Sequence, residues 1–143
     1  MNESTLTSQL LANFRTHACV VLKHADMGTI GVPDISISVG RRTCWIEVKF
    51  VRRGDDLIRL LRRSKSNSQL LLMNRLETHS AGALYVVYFD FKIMPSGLTW
   101  QIWRPSELLP FVKGDSEISY SPVAMGKGRG YAEIWKEIGL ITQ

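Results

Sequence analysis

The sequence of 143 residues has little of what marks a membrane protein, a disulfide scaffold or a zinc protein. No apolar run approaches the roughly 20 residues that cross a bilayer, and Met-Asn-Glu-Ser-Thr at the start lacks the features of a signal peptide. Only two cysteines, Cys19 and Cys44, and three histidines are present, and they share no metal-ligand spacing. Both cysteines fall in predicted strands, so buried thiols are expected. These absences predict a cytoplasmic protein (host cytoplasm if it is viral) with no membrane partner.

Repeats, low-complexity tracts and long linkers are also missing. A hydrophobic fraction of 45% and a charged fraction of 22% are ordinary for a globular protein. We therefore expect a single domain over residues 1–143, long enough to bury its own core.

The most informative stretch runs from Gly31 to Phe50 and is typical of two strands joined by a tight turn at Gly40-Arg41. Apolar and polar residues alternate along both strands, and side chains two apart share a face. Each strand is therefore predicted to have one apolar face and one face with ionisable groups. If the strands pair, Asp34, Glu47 and Lys49 converge at one end of the sheet.

Two carboxylates beside an ammonium group suit a divalent cation. Mg²⁺ is held by a few carboxylate oxygens and keeps several waters, and a neighbouring lysine can orient a water or stabilise charge on a phosphate. The alternative for Glu47 and Lys49 is an ion pair on an exposed strand. The combination of Pro33-Asp34 on one strand with Glu47-Val48-Lys49 on the next favours the metal site.

This combination, with Glu47 thirteen positions after Asp34, resembles the signature of the PD-(D/E)XK nucleases. The surrounding residues resemble the archaeal-type Holliday junction resolvases and the VRR-NUC nucleases often found in phages. The resemblance implies an α/β fold with a restriction-endonuclease-like core, a central mixed sheet flanked by helices. It also implies DNA cleavage that depends on Mg²⁺, for which Mn²⁺ would substitute. Asp34 and Glu47 would be metal ligands, Lys49 the catalytic lysine, and the Val48 carbonyl would face the metal.

Two further site residues follow from the same resemblance. In these families a glutamate on the first helix commonly completes the metal site, and Glu3 is the one carboxylate before Asp26. A glutamine on the helix after the Glu-x-Lys strand often lies near the metal-bound water, and Gln69 matches it in type and order. The alternative for both residues is an ordinary surface position on a helix.

Periodicity predicts the remaining elements. We expect a first helix over residues 4–16 capped by Ser4 or Thr5, a strand over 18–22, a short helix over 57–61, a break over 64–68 and a second helix from Gln69. The continuous apolar run 83–89 predicts a central strand buried on both faces. This strand is followed by a strand over 98–103, a short helix from 104 to 113, a glycine-rich basic loop over 126–130 and an amphipathic segment over 131–140. This last segment packs on the domain or forms a dimer surface.

Basic residues are concentrated after the turn of the hairpin. Nine of the eighteen lysines and arginines fall in the twenty-five positions 41–65, next to the predicted carboxylate site. A polyanionic substrate would be steered by such a patch, although a solvated face without a partner is the alternative. The candidate DNA contacts, with Lys23 and His24 added from the preceding loop, are Lys23, His24, Arg41, Arg42, Arg52, Arg53, Arg59, Arg62, Arg63 and Lys65.

The sequence thus predicts a structure-specific DNA endonuclease. The order of its elements favours a Holliday junction resolvase, which would act on branched DNA as a symmetric homodimer because a four-way junction needs two paired incisions. A VRR-NUC-type nuclease that cuts flaps or other branched DNA is the alternative enzyme. A non-catalytic DNA-binding module with the same fold is the alternative from another class.

Overall fold

The described strands form one mixed β-sheet at the centre of the fold. The computed structural model describes residues 1–17, 19–24, 32–90, 97–114 and 122–142, and all statements on structure concern these residues. Within them, six strands lie in the spatial order β1-β2-β3-β4-β5-β6. The strands are β1 (Val20–Lys23), β2 (Ile35–Val39), β3 (Arg42–Val51), β4 (Gly82–Asp90), β5 (Leu98–Trp103) and β6 (Ala124–Lys127). The β3–β4 pair is parallel, and the other neighbouring pairs are antiparallel.

Helices cover both faces of the sheet and create two hydrophobic cores. The helices are α1 (Glu3–Phe14), α2 (Leu57–Leu61), α3 (Ser64–His79), α4 (Pro105–Val112) and α5 (Tyr131–Thr142). Helices α1 and α5 contribute buried residues to one core, and α2, α3 and α4 contribute to the other. The predicted α/β fold, with a central mixed sheet flanked by helices, is thus confirmed. The last helix belongs to the domain, because Ile134 and Ile138 are buried in the first core.

The predicted hairpin has the expected register and turn. Ile35 lies opposite Ile46, and Val39 lies opposite Arg42. Gly40 closes the turn with a φ of 61°, a left-handed conformation that glycine adopts without a steric penalty. The central strand is also as predicted, since β4 is buried on both faces along most of its length and joins β3 through a parallel crossover.

Several predicted boundaries were wrong. Asn2, and not Ser4 or Thr5, caps α1, because its side-chain oxygen accepts a hydrogen bond from the Thr5 N–H at 2.8 Å. The predicted break over 64–68 is the first turn of α3; the serines that suggested a break are helical, and Ser68 donates back to the Ser64 carbonyl. The first strand covers Val20–Lys23, so Cys19, which was predicted to be a strand residue, lies before it; Ala18 is outside the described residues.

The glycine-rich segment 126–130 was predicted as a loop, but Gly126 and Lys127 belong to the edge strand β6 (Ala124–Lys127). Gly126 serves close packing, because a Cβ at this position would lie 2.7 Å from the Trp100 ring. Glycine in a strand often marks such a close approach. The loop over residues 25–31, with Gly28 and Gly31, and the turn at Pro95 lie outside the described residues.

Candidate active site

The site forms where β3 continues beyond the end of β2. Strand β2 starts at Ile35, opposite Ile46, so among the described residues none pairs as a strand with residues 47–51 of β3 on that side. Two carboxylates replace the missing strand. The Val48 N–H donates to Asp34 Oδ2 at 3.1 Å, and the Phe50 N–H donates to Glu3 Oε2 at 3.3 Å. Asp34 and Glu3 therefore lie along one open edge of β3.

Local sequence explains why both carboxylates reach this edge. Pro33 has no N–H to donate to a ladder, which favours the end of the strand at this point. The cap at Asn2 starts α1 one residue earlier than predicted and so places Glu3 in the first helical turn, from which it reaches Phe50. The structure thus brings Glu3 to the predicted site.

Glu47 is the most buried ionisable group of the cluster. Its side chain shares a face with Asp34, and the residue is only 1% exposed. Lys49 Nζ lies 3.9 Å from Glu47 Oε2. Burial raises the pKa of the Glu47 carboxyl well above its usual value, the contact with Asp34 raises it further, and Lys49 opposes the shift. The metal-free cluster thus disfavours full ionisation of its acids.

Glu3 is perturbed in the same direction. Burial is the largest cause and raises its pKa; the charge of Lys49 lowers it, Asp34 raises it, and the hydrogen bond from Phe50 lowers it. Glu3, like Glu47, therefore holds its proton more tightly than a glutamate in water.

These groups open into a cleft of about 300 Å³. The side chain of Gln69, from α3, points to the same region, with Nε2 3.5 Å from the Val32 carbonyl. His24 Nε2 lies 2.8 Å from Ser36 Oγ, and the His24 N–H donates to the Asp34 carbonyl. The residues that line the cleft are Glu3, His24, Val32, Asp34, Glu47, Lys49, Lys65, Ser66 and Gln69. The structure thus brings together every predicted catalytic side chain.

The donor set has features that fit a divalent cation. Glu47 Oε1 is buried, and among the described residues it has no hydrogen-bond partner. The Val48 N–H points to the open edge, and the N–H and C=O of one strand residue face the same side of the strand; the Val48 carbonyl is therefore expected to face this edge too. However, within the described part of the chain, no three His, Cys, Asp or Glu side chains are arranged as a ready-made metal site. The residues present fit Mg²⁺ with few protein ligands and several waters.

The predicted DNA-binding residues separate into groups. Lys65 and His24 border the carboxylate cleft, and Arg52 and Arg63 border a second cleft beside it. Arg41 and Arg42 lie at the hairpin turn, at the opposite end of β3 from Val51. The remaining residues of the set lie elsewhere: Lys23 ends β1, Arg53 is exposed after β3, and Arg59 and Arg62 are in or next to α2.

Tyr85 is a site neighbour that the sequence did not reveal. It lies opposite Glu47 in the β3–β4 register and is fully buried. Its pKa is raised, first by burial and then by the charges of Glu47 and Asp34. Among the described residues its hydroxyl has no hydrogen-bond partner. Tyr85 lies in the apolar run 83–89, which by itself does not indicate a site residue. Only the register of the parallel β3–β4 pair places it beside Glu47.

No family model matches the sequence, and no curated protein matches it. Among solved structures, the chain is similar to Hjc, a Holliday junction resolvase from the archaeal hyperthermophile Archaeoglobus fulgidus. The sequence identity is 18%, the match covers 72% of this chain and 76% of that chain, and the TM-score is 0.43. A likeness of this size does not assign a function, which has to come from the residues of the cleft.

In the described part of the chain, no helix combines the length and apolar character needed to cross a membrane.

Proposed function

We propose that this protein is a divalent-metal-dependent DNA endonuclease, and most specifically a Holliday junction resolvase. One observation carries the proposal: Glu3, Asp34, Glu47 and Lys49 meet at the open edge of β3, where Glu47 is buried with an unpaired oxygen. Burying a carboxylate without a partner is costly, so the cluster is poorly explained as a device for stability.

The proposed metal ligands are Asp34 and Glu47, joined by Glu3 and by the Val48 carbonyl. A bound Mg²⁺, or Mn²⁺ in its place, would polarise the scissile phosphate and lower the pKa of an attacking water. The ammonium group of Lys49, 3.9 Å from Glu47, would orient that water or stabilise the developing negative charge. Gln69, on the wall of the cleft, would hold the same water through its amide.

The substrate class follows from charge. The carboxylate cleft is bordered by Lys65, and the neighbouring cleft by Arg52 and Arg63, so a polyanion can be drawn to an acidic centre. Branched DNA and a symmetric homodimer belong to the proposal, because a resolvase makes two paired incisions.

The test is cleavage of end-labelled four-way junctions, flaps and linear duplexes, each with Mg²⁺ and with EDTA. Preferential, paired cutting of the junction with Mg²⁺ is expected. A preference for flaps would favour a VRR-NUC-type nuclease instead, and absence of Mg²⁺-dependent cutting on all three substrates would overturn the proposal.

One observation favours a non-catalytic DNA-binding module as the second candidate. Within the described residues, no three potential ligands are arranged to hold a metal ion. Titration with Mn²⁺ by calorimetry separates the candidates, because the nuclease should bind the ion at this cluster and the module should not.

A further inference from the structure

A second cleft, of about 370 Å³, adjoins the carboxylate cleft. Both clefts are lined by Glu3, Lys49 and Ser66, so the two are contiguous. The second cleft is formed by the end of β3 and by the segments that begin and end α2. Its other lining residues are Phe50, Arg52, Asp55, Leu60 and Arg63.

The arginines around α2 differ in what their guanidinium groups contact. Arg59 donates to Asp55 Oδ1 from Nη2 at 2.7 Å and from Nε at 3.2 Å. Arg62 donates to the carbonyls of Val112 and Phe111, at the end of α4. These two side chains are therefore engaged in the fold.

Arg52 and Arg63 are exposed, and within the described residues neither has a carboxylate within 4.0 Å. Asp55, the one aspartate on the wall of this cleft, is already paired with Arg59. The pKa of Asp55 is accordingly lowered, first by the hydrogen bond from Arg59. Among the described residues, the second cleft thus presents two guanidinium groups that form no salt bridge, together with Glu3, Lys49 and an aspartate that is paired with Arg59 and also stabilised by the charge of Arg63. The start of α3 adds backbone donors beside Arg63, because no side chain caps it.

We propose that this second cleft is a phosphate subsite, in which Arg52 and Arg63 together bind the backbone phosphate adjacent to the scissile one. The subsite rests on the proposed function. Guanidinium groups match phosphate oxygens with paired hydrogen bonds. Because Lys49 and Glu3 line both clefts, a DNA strand with its scissile phosphate at the carboxylates extends directly into the second cleft. The subsite would fix the register of the cut strand, whereas Arg41 and Arg42 would contribute only a diffuse field.

The test compares two double variants with the same loss of charge: R52A/R63A, and R15A/R75A at two exposed arginines outside the predicted DNA-binding set. Binding of a fluorescein-labelled four-way junction is measured by anisotropy in EDTA over a range of salt concentrations. Loss of the subsite should weaken binding about 10- to 100-fold, as expected for charge-assisted hydrogen bonds. If both arginines hold one phosphate, the salt slope should fall by about 0.9 in the double variant, the value for one contact, whereas R52A alone, which leaves Arg63 on that phosphate, should change the slope less. The control should lose less than about threefold.

A second measurement locates the contact. Single methylphosphonate linkages, which remove one phosphate charge, are placed in turn around the cleavage point. One neighbouring linkage should slow single-turnover cleavage by the wild type but have no further effect on R52A/R63A. Equal losses of binding in both double variants, or none in R52A/R63A, would overturn the subsite. The binding measurement needs no metal, so the two failures can be distinguished. If the subsite proposal fails, R52A/R63A binds the junction like the wild type. If the nuclease proposal fails, Mg²⁺-dependent cutting is absent although the salt-dependent DNA contacts are intact.

Discussion

Replacing Glu47 with glutamine should stabilise the metal-free protein and remove most of the stabilisation by Mg²⁺. Glu47 is 1% exposed, shares its site with Asp34 and has Lys49 Nζ at 3.9 Å as a counter-charge. Glutamine keeps the size of the side chain and removes the charge. Relieving a poorly compensated buried charge should contribute about 1–3 kcal/mol. At about 3 °C per kcal/mol for a chain of this size, the melting temperature of E47Q should exceed that of the wild type by about 3–9 °C in EDTA near pH 8.

The pH dependence of this difference has a defined sign. The pKa of Glu47 is raised in the folded protein, so the folded state binds this proton more tightly than the unfolded chain, whose glutamate pKa is about 4.3. The associated stability is fully present below that value and is lost as the pH rises through the raised pKa of the folded state. The advantage of E47Q should therefore be greatest at neutral to alkaline pH and should vanish towards pH 4.

Mg²⁺ should offset most or all of the stability advantage of E47Q. At a free concentration a hundred times its dissociation constant, a ligand that binds only the folded state adds about 2.7 kcal/mol, which corresponds to about 8 °C here. The wild type should gain this shift, and E47Q should gain little. The assay is thermal unfolding in EDTA and in a Mg²⁺ series, with the exposed Glu133 changed to glutamine as an isosteric control. Equal Mg²⁺ shifts in the wild type and E47Q would refute the role of Glu47 as a ligand.

The remaining predictions concern catalysis, packing and assembly. D34N and K49A should each lower single-turnover cleavage at least about 100-fold while junction binding in EDTA stays within about threefold; normal Mg²⁺-dependent cleavage by either variant would remove that residue's assigned role. G130A should cost about 2–4 kcal/mol in urea unfolding, because Gly130 has a φ of 69° and a Cβ there would lie 2.5 Å from the Trp100 ring. G128A, at a φ of 77° with open space around it, should cost only about 1 kcal/mol, and an equal cost for both would show that the ring contact is unimportant. The protein should sediment as a dimer at the concentrations that cut junctions, and full activity as a monomer would rule out paired incision by a stable dimer.

The hairpin and the central strand could be predicted because their signals are local. Alternation with a period of two and the glycine at position 40 define β2, β3 and their turn. The unbroken apolar run of β4 indicated burial on both faces, and the parallel β3–β4 pair agrees. Asp34, Glu47 and Lys49 meet as expected, since a hairpin fixes its register over a few residues.

The boundaries that the sequence missed depend on individual contacts that hydrophobic periodicity does not report. A single hydrogen bond from Thr5 decides that α1 starts at Glu3, and nothing in the periodicity chooses Asn2 over the following serine and threonine. The serines of α3 read as a break because their side chains compete with the backbone for hydrogen bonds, yet α3 packs on the sheet through Leu70 and Met73.

The basic patch over residues 41–65 is a second case in which the sequence does not predict the contacts. Sequence alone put Arg52, Arg59, Arg62 and Arg63 in one patch, whereas the structure engages Arg59 with Asp55 and Arg62 with α4. Only tertiary packing distinguishes the arginines that serve the fold from those that border a cleft. The density of basic residues along the sequence therefore does not predict which arginines form contacts within the fold.

The most direct test of the metal site is a crystal structure of the protein soaked in Mn²⁺, with the ion located by its anomalous scattering. We expect one or two peaks within coordination distance of Asp34 and Glu47 at the open edge of β3, next to the Val48 carbonyl. An ion bound elsewhere, or none at this cluster at saturating Mn²⁺, would contradict this expectation.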